Sequence, residues 1–181
     1  MAKKFEGQPS YAPGTHVSGK DIAEKKIAYS WWEPEVQYSW ALGPAMSKFL
    51  TGLKEGKLLG RCCKNCDRIL IPPRMFCELC YGPTEGWVEL PDTGTVQTFS
   101  ISRLDPDARR IKNKKDYILI GVISIDGAAD KHGFMHYFGE MKHEELKIGM
   151  KVRAVWKPAK EREGAITDIK YFKPLKGGRK K

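Results

Sequence analysis

The stretch Cys63-Lys64-Asn65-Cys66-Asp67-Arg68-Ile69-Leu70-Ile71-Pro72-Pro73-Arg74-Met75-Phe76-Cys77-Glu78-Leu79-Cys80 decides how this chain is read. It contains two Cys-x-x-Cys units with ten residues between them. Each unit forms a tight knuckle that turns two sulfurs toward one point while nearby amides donate to them. Two knuckles close a tetrahedral thiolate shell with no open position, so the ion it holds, zinc on Cys63, Cys66, Cys77 and Cys80, is structural. Iron in a rubredoxin-like shell and a redox dithiol are the competing readings of the same spacing. The segment between the knuckles reads as a strand, a Pro72-Pro73 turn and a return, the span that a ribbon needs. A piece of this size buries too little apolar surface to offset its ordering entropy without a metal.

Working upstream, Pro44 can sit in the first turn of a helix. Met46, Phe49, Leu50 and Leu53 then mark one apolar face, and Gly56 stops it. Leu58 to Arg61 leads as a short strand into the cysteines. Residues 1–39 have no clean period, and Pro9, Pro13 and Pro34 forbid a long helix there. This extension nevertheless carries Tyr29, Trp31, Trp32 and Tyr38. Such aromatics serve either to cover the chain's own domain or to anchor on another protein.

Downstream, the pattern becomes β from Trp87 onward. Thr95 to Ile101 is rich in β-branched residues, and Tyr117 to Ile125 is a long apolar strand closed by the turn signal Asp126-Gly127. Gly133 to Phe138 is a third strand, and Lys142 to Lys147 is expected to form one helical turn. Lys151 to Trp156 alternates, with Val152, Ala154 and Trp156 on one face, and Ala165 to Phe172 gives a fifth strand. Five strands with a helical turn between the third and fourth have the order of an OB-fold. The expected architecture is therefore mainly β: an N-terminal helix, a rubredoxin-like zinc ribbon and a five-stranded OB-fold barrel. The expected divisions are the extension at 1–39, helix and lead-in at 40–59, ribbon at 60–86, OB-fold at 87–174 and a disordered basic tail at 175–181.

The chain has 181 residues and a formal net charge of +10. Part of the excess lies at the end, in Lys173, Lys176, Arg179, Lys180 and Lys181; the rest suggests an anionic partner. No apolar run is long enough to cross a membrane as a helix, and the first residues lack the apolar core of a signal peptide. A cytoplasmic location is expected, and in that reducing setting five cysteines argue for metal over disulfides. Arg103, Arg109, Arg110, Lys112, Lys114 and Lys115 fall between the first two barrel strands, on a loop that lines the binding face of OB-folds. They could hold coenzyme A phosphates or a nucleic-acid backbone, or simply face water. Cys62 is read as a small residue turned away from the metal, against the alternative of a catalytic thiol. His16, His132, His136 and His143 form no ligand pair at helical spacing and are read as non-catalytic.

Taken in order, these features resemble the domain-of-unknown-function family of zinc-ribbon/OB-fold proteins that accompany thiolases and related condensing enzymes. The residues that carry the resemblance are Phe49-Leu-Thr-Gly-Leu-Lys-Glu-Gly-Lys-Leu-Leu-Gly-Arg-Cys62, the two knuckles, and Pro72-Pro73-Arg74 between them. Gly94-Thr-Val-Gln-Thr-Phe-Ser100, Tyr117 to Gly127 and Leu146-Lys-Ile-Gly-Met-Lys-Val152 continue it, so it spans about residues 41–174. It implies a non-catalytic partner of a thiolase-like enzyme, forming a hetero-oligomer and helping to bind or shield acyl-coenzyme A. Within that family the chain is most similar to the small subunit of the thiolase that cleaves benzoylsuccinyl-CoA in anaerobic toluene breakdown. Asp67 departs from the family pattern, in which a glycine often follows the first knuckle. The alternative is a single-stranded nucleic-acid module with Phe134, Tyr137 and Phe138 as stacking platforms; Phe134 and Phe138 share a face, so part of that set must be core. An autonomous thiol enzyme built on Cys62 ranks last.

Overall fold

The computed structural model describes residues 17–28, 30, 35 and 39–175. The chain divides into two units, residues 1–40 and 41–181. In the first, α1 (Gly19–Ala23) is a single capped turn. The Ser18 side chain accepts from the Asp21 N–H, and the Asp21 carboxylate accepts in return from the Ser18 N–H at 3.1 Å. This reciprocal capping box explains a short helix where hydrophobic period alone showed none. The aromatic cluster of Tyr29, Trp31, Trp32 and Tyr38 lies outside the described residues, as do His16 and the tail from 176.

The second unit begins with α2 (Gly43–Glu55), which carries Pro44 in its first turn. It buries Ala45, Phe49, Gly52 and Leu53, with Met46 and Leu50 half-buried beside them. Gly56 ends it at φ 80°. The Gly56 N–H donates to the Leu53 carbonyl (2.9 Å) and the Lys57 N–H to that of Gly52 (2.8 Å), the Schellman pair that satisfies two orphan carbonyls. Gly52 also permits close approach to the following strand, since a Cβ there would lie 2.7 Å from Leu59 Cδ1.

Three antiparallel strands form the ribbon sheet: β1 (Leu58–Cys63), β2 (Ile69–Leu70) and β3 (Thr84–Leu90), in the order β2-β1-β3. β3 begins before Trp87, and its pairing with β1, from Leu58↔Leu90 to Cys63↔Thr84, runs across the division expected at 86/87. Five further strands form the second sheet: β4 (Thr93–Ser102), β5 (Ile118–Ile125), β6 (Gly133–Tyr137), β7 (Lys151–Trp156) and β8 (Ile169–Pro174). Their order is β6-β5-β4-β7-β8, with every paired neighbour antiparallel. A parallel bridge between Phe138 and Phe172 joins the third barrel strand to the fifth. That bridge closes the five strands into the OB-fold barrel.

Two details differ from the sequence reading. Lys142 to Lys147 forms hydrogen-bonded turns and no helix; the Glu145 side chain folds back to accept from the Lys142 N–H at 3.0 Å. The fifth strand starts at Ile169, because a 3-10 turn at Ile166–Asp168 occupies the residues before it. Leu175 donates its N–H to the Lys151 carbonyl at 2.9 Å, extending the last ladder beyond β8.

The helix, ribbon and barrel of this unit share one core. Phe49 and Leu53 of α2, Leu58 of β1 and Ile71 of the ribbon pack in the same cluster as Ile123 and Phe172 of the barrel. Each such side chain contributes about 1.5–3 kcal/mol on full burial. One side of the ribbon, Leu58 and Ile71, thus belongs to the barrel's hydrophobic core, while Leu70 packs with Cys63 and Cys77 in a separate cluster around the sulfurs.

Candidate metal centre and basic loop

Cys63 is the last residue of β1, and its N–H donates to the Arg68 carbonyl at 2.8 Å, closing the first knuckle. Cys77 repeats this with the Gly82 carbonyl at 2.9 Å. The amides follow the same offsets in both knuckles. Asn65 and Cys66 donate to the Cys63 sulfur, and Leu79 and Cys80 to that of Cys77. Arg68 donates to Cys66, and Gly82 to Cys80. The residue after each second cysteine is left-handed, Asp67 at φ 52° and Tyr81 at φ 57°. This explains why glycine is at home at that position, and why aspartate, which tolerates the left-handed region, can replace it.

The four sulfurs all lie within 4.8 Å of one another. Cys63 and Cys80 are 3.4 Å apart, Cys66 and Cys77 3.7 Å, and Cys66 and Cys80 3.9 Å. A tetrahedron with zinc–sulfur bonds of about 2.3 Å has edges of about 3.8 Å. A disulfide would need about 2.05 Å. The donor set therefore fits a tetrahedral dication with no coordination position left over, and an iron ion fits the same shell.

Electrostatics point the same way. The Cys77 thiol is pulled down to about 6, first by the Cys80 amide and then by that of Leu79. The Cys66 thiol is pushed up to about 12, first by the neighbouring Cys63 sulfur and then by burial. Four sulfurs this close cannot all ionise unless a cation sits among them. Arg68 adds a guanidinium Nη1 at 3.8 Å from the Cys77 sulfur.

Arg68 also ties the ribbon to the barrel. It pairs with Glu78 at 2.7 Å, and His132, in the β5–β6 connection, lies 2.9 Å from Arg68 and 3.0 Å from Glu78. The Ala129 N–H donates to the Ile69 carbonyl at 2.8 Å. His132 is therefore a docking residue. His136 is buried, with Nε2 at 3.2 Å from the Ile166 carbonyl and Nδ1 accepting from the Tyr137 N–H at 2.9 Å. That pattern requires a neutral ring with its proton on Nε2. Cys62 pairs within the ribbon sheet opposite Ile69 and Glu85 and stands outside the group of four sulfurs.

The six cations between β4 and β5 are all exposed, but the loop separates them. Its tip is a small hairpin closed by the Leu104–Arg110 bridge, where Arg109 pairs with Asp107 at 3.3 Å. Arg103 lies 5.8 Å from the centre of the Tyr117 ring. Lys114 and Lys115 instead line a cleft with Lys142 and His143, two residues the sequence reading did not select. Those two come from the segment after β6, so only the folded chain brings them to the loop. The stacking platforms of the nucleic-acid reading do not survive as a set. Phe138 is buried and Phe134 packs against the core, 6.1 Å from Phe172, which leaves Tyr137 outside.

With a closed four-sulfur shell leading into an OB-fold barrel, the chain is a zinc-ribbon/OB-fold protein by class. Residues 50–85 match the family model of the ChsH2 rubredoxin-like zinc ribbon domain, and residues 87–157 that of the ChsH2 C-terminal OB-fold domain. A DUF35 domain-containing scaffold protein of Methanocaldococcus jannaschii is 32% identical over 121 residues, which are 65% of this chain and 82% of the relative. The chain belongs to the DUF35 family. Among solved structures, a DUF35-family protein of unknown function from Sulfolobus solfataricus superposes with a TM-score of 0.52 at 27% identity, covering 62% of this chain and 78% of that one. An Ltp2-ChsH2(DUF35) aldolase shares the fold, with a TM-score of 0.54 at 17% identity over 75% of this chain and 98% of its counterpart. No helix among the described residues is long and apolar enough to cross a membrane.

Proposed function

We propose that this chain is a non-catalytic accessory subunit of a thiolase-like enzyme complex, with one structural zinc on Cys63, Cys66, Cys77 and Cys80. Its work is to assemble with a catalytic subunit and assist acyl-CoA binding for thiolytic carbon–carbon cleavage, in the finest form of the reading cleavage of benzoylsuccinyl-CoA. The observation that carries this is the surface of the second knuckle. Met75, Phe76, Leu79 and Tyr81 lie within seven residues and are 41%, 63%, 67% and 82% exposed. A metal-fixed turn that presents large apolar side chains to solvent suits a protein interface. Among the described residues, His132 is engaged in docking, His136 in the core, and His143 lies 3.2 Å from Glu144. Family membership supports the reading, since the relative from Methanocaldococcus jannaschii is a DUF35 domain-containing scaffold protein and an Ltp2-ChsH2(DUF35) aldolase shares the fold.

The test is co-expression with a thiolase-like catalytic subunit. A stable hetero-oligomer should form, and thiolytic activity should need both chains. Phe76→Ser with Leu79→Ser should leave stability within about 0.5 kcal/mol, as exposed substitutions do, while abolishing the complex. Turnover by the isolated chain, or a complex indifferent to these substitutions, contradicts the proposal.

A further inference from the structure

Arg68 touches both knuckles. Its main chain serves the first, where its carbonyl accepts from the Cys63 N–H at 2.8 Å and its N–H donates to the Cys66 sulfur. Its side chain crosses to the second, with Nη1 3.8 Å from the Cys77 sulfur and 2.7 Å from Glu78 Oε1. Nη2 lies 2.9 Å from His132 Nε2, which is itself 3.0 Å from the same Glu78 oxygen. His132 belongs to the β5–β6 connection of the barrel, so the guanidinium sits in the seam between ribbon and barrel. Only 24% of the Arg68 side chain and 13% of that of His132 are exposed there. A dication among four thiolates leaves a net charge of about −2. Glu78, which follows Cys77 in the chain, adds a further negative charge beside it. A partly buried cation in this place is attracted by both and is screened little by salt.

We infer that Arg68 is a positioning residue for the metal centre: its guanidinium offsets the negative four-sulfur shell at Cys77, and Glu78 and the barrel's His132 hold it there. Four sulfurs within 4.8 Å of one another repel, and a cation outside the shell relieves that repulsion without taking a ligand position. Removing it leaves the shell and Glu78 uncompensated in a partly buried place. Retention of the ion thereby depends on the ribbon–barrel seam, through His132, whose own side-chain contacts are with Arg68 and Glu78. Mechanical docking alone would need Glu78 and His132 but no contact with sulfur. The inference rests on the structural-metal reading and is independent of the accessory-subunit one.

The test uses the full chain loaded with zinc and follows transfer of the ion to the chelator pyridylazoresorcinol. A chain that loads no ion overturns the structural-metal reading, and this inference with it. Arg68→Met keeps the main-chain contacts and removes the charge. Transfer should become about ten- to hundredfold faster, the usual cost of losing a partner of a metal ligand. Arg68→Lys should recover part of the loss, and His132→Ala should accelerate transfer by a smaller factor than Arg68→Met. Lys64→Met, which removes an exposed cation of the first knuckle paired with Glu85, should leave the rate unchanged. In the cobalt-loaded protein the sulfur-to-metal charge-transfer band should move to lower energy in Arg68→Met, because the sulfur lone pairs lose a positive donor, and return toward wild type in Arg68→Lys. Unchanged transfer in Arg68→Met overturns the inference. So does equal acceleration by Lys64→Met, which would mean diffuse charge, or faster transfer with the band unmoved, which would mean docking alone. If Arg68→Met does not fold, Arg68→Lys and His132→Ala carry the same two readouts, and wild-type values in both overturn the inference.

Discussion

Asp168→Ala should destabilise the protein out of proportion to its size. The Asp168 side chain is fully buried at the end of the 3-10 turn before β8. One carboxylate oxygen accepts from the Glu163 N–H at 3.0 Å, and the other from Gly164 at 2.7 Å and Ala165 at 3.2 Å. Its main-chain carbonyl accepts from the Lys157 N–H at 2.8 Å, so one residue pins both ends of the β7–β8 connection. A buried donor left unpaired costs about 1–3 kcal/mol. Glu163 is exposed and its amide can reach water, whereas Gly164 and Ala165 are half-buried. The expected loss is therefore about 2–4 kcal/mol for Asp168→Ala, and about half of that for Asp168→Asn, which keeps one acceptor oxygen. In thermal terms this is roughly 5–15 °C. Urea denaturation followed by tryptophan fluorescence reads it as a lower midpoint with unchanged slope. The effect also has a pH signature. Burial alone would raise the carboxyl, but the three amides and Lys157 outweigh it and hold it below its ordinary 3.8. A depressed folded value means the contribution is complete above the unfolded value and is lost as pH falls through the folded one. The gap between wild type and Asp168→Ala should therefore close below about pH 4. A gap under about 0.5 kcal/mol at neutral pH, the scale of an ordinary surface change, or one that persists undiminished at low pH, would refute the reasoning.

Two other substitutions test the packing. In Gly121→Ala the new Cβ would lie 2.2 Å from the Thr98 carbonyl oxygen and 2.8 Å from Phe99 Cα, both backbone of the paired strand. It should cost about 2–3 kcal/mol in the same denaturation assay; a variant as stable as wild type contradicts the β4–β5 register. His136 is held below its ordinary 6.5 first by burial, which outweighs its hydrogen bonds to backbone. Its neutral ring therefore stabilises the fold fully above that value, and the contribution drains away as pH falls through the lower folded value. Stability measured at steps below pH 6.5 should decline more steeply for wild type than for His136→Gln, and parallel profiles would exclude this role.

Much of this architecture is local and could be read from the sequence. The knuckle spacing, the Gly56 stop and the alternation of Lys151 to Trp156 each state their geometry within a few residues. The barrel's closure followed from strand count and order, and the structure supplies the contact that does it, Phe138 to Phe172. What the sequence hid depends on distant partners. Arg68 meets His132 across 64 positions, with no local pattern to announce it. Lys142 and His143 become relevant only once the segment after β6 folds against the loop before β5. The stretch Lys142 to Lys147 looked helical, but after the Glu145 N–H closes one turn on the Lys142 carbonyl at 3.0 Å the chain goes on to the left-handed Gly149, at φ 84°, and no helix follows. Asp168 carries no sequence mark of being a buried anchor; only its three amide donors reveal it.

The fold of the ribbon depends on four sulfurs holding one ion, and elemental analysis of the native protein tests that directly. It should return about one zinc per chain. Stripping the ion should unfold the ribbon and lower the stability of the whole unit, because Leu58 and Ile71 of the ribbon belong to the barrel's core; a structural site of this kind supplies about 10–16 kcal/mol at neutral pH. A purified protein that holds no metal, or that melts identically with and without a chelator, would contradict it.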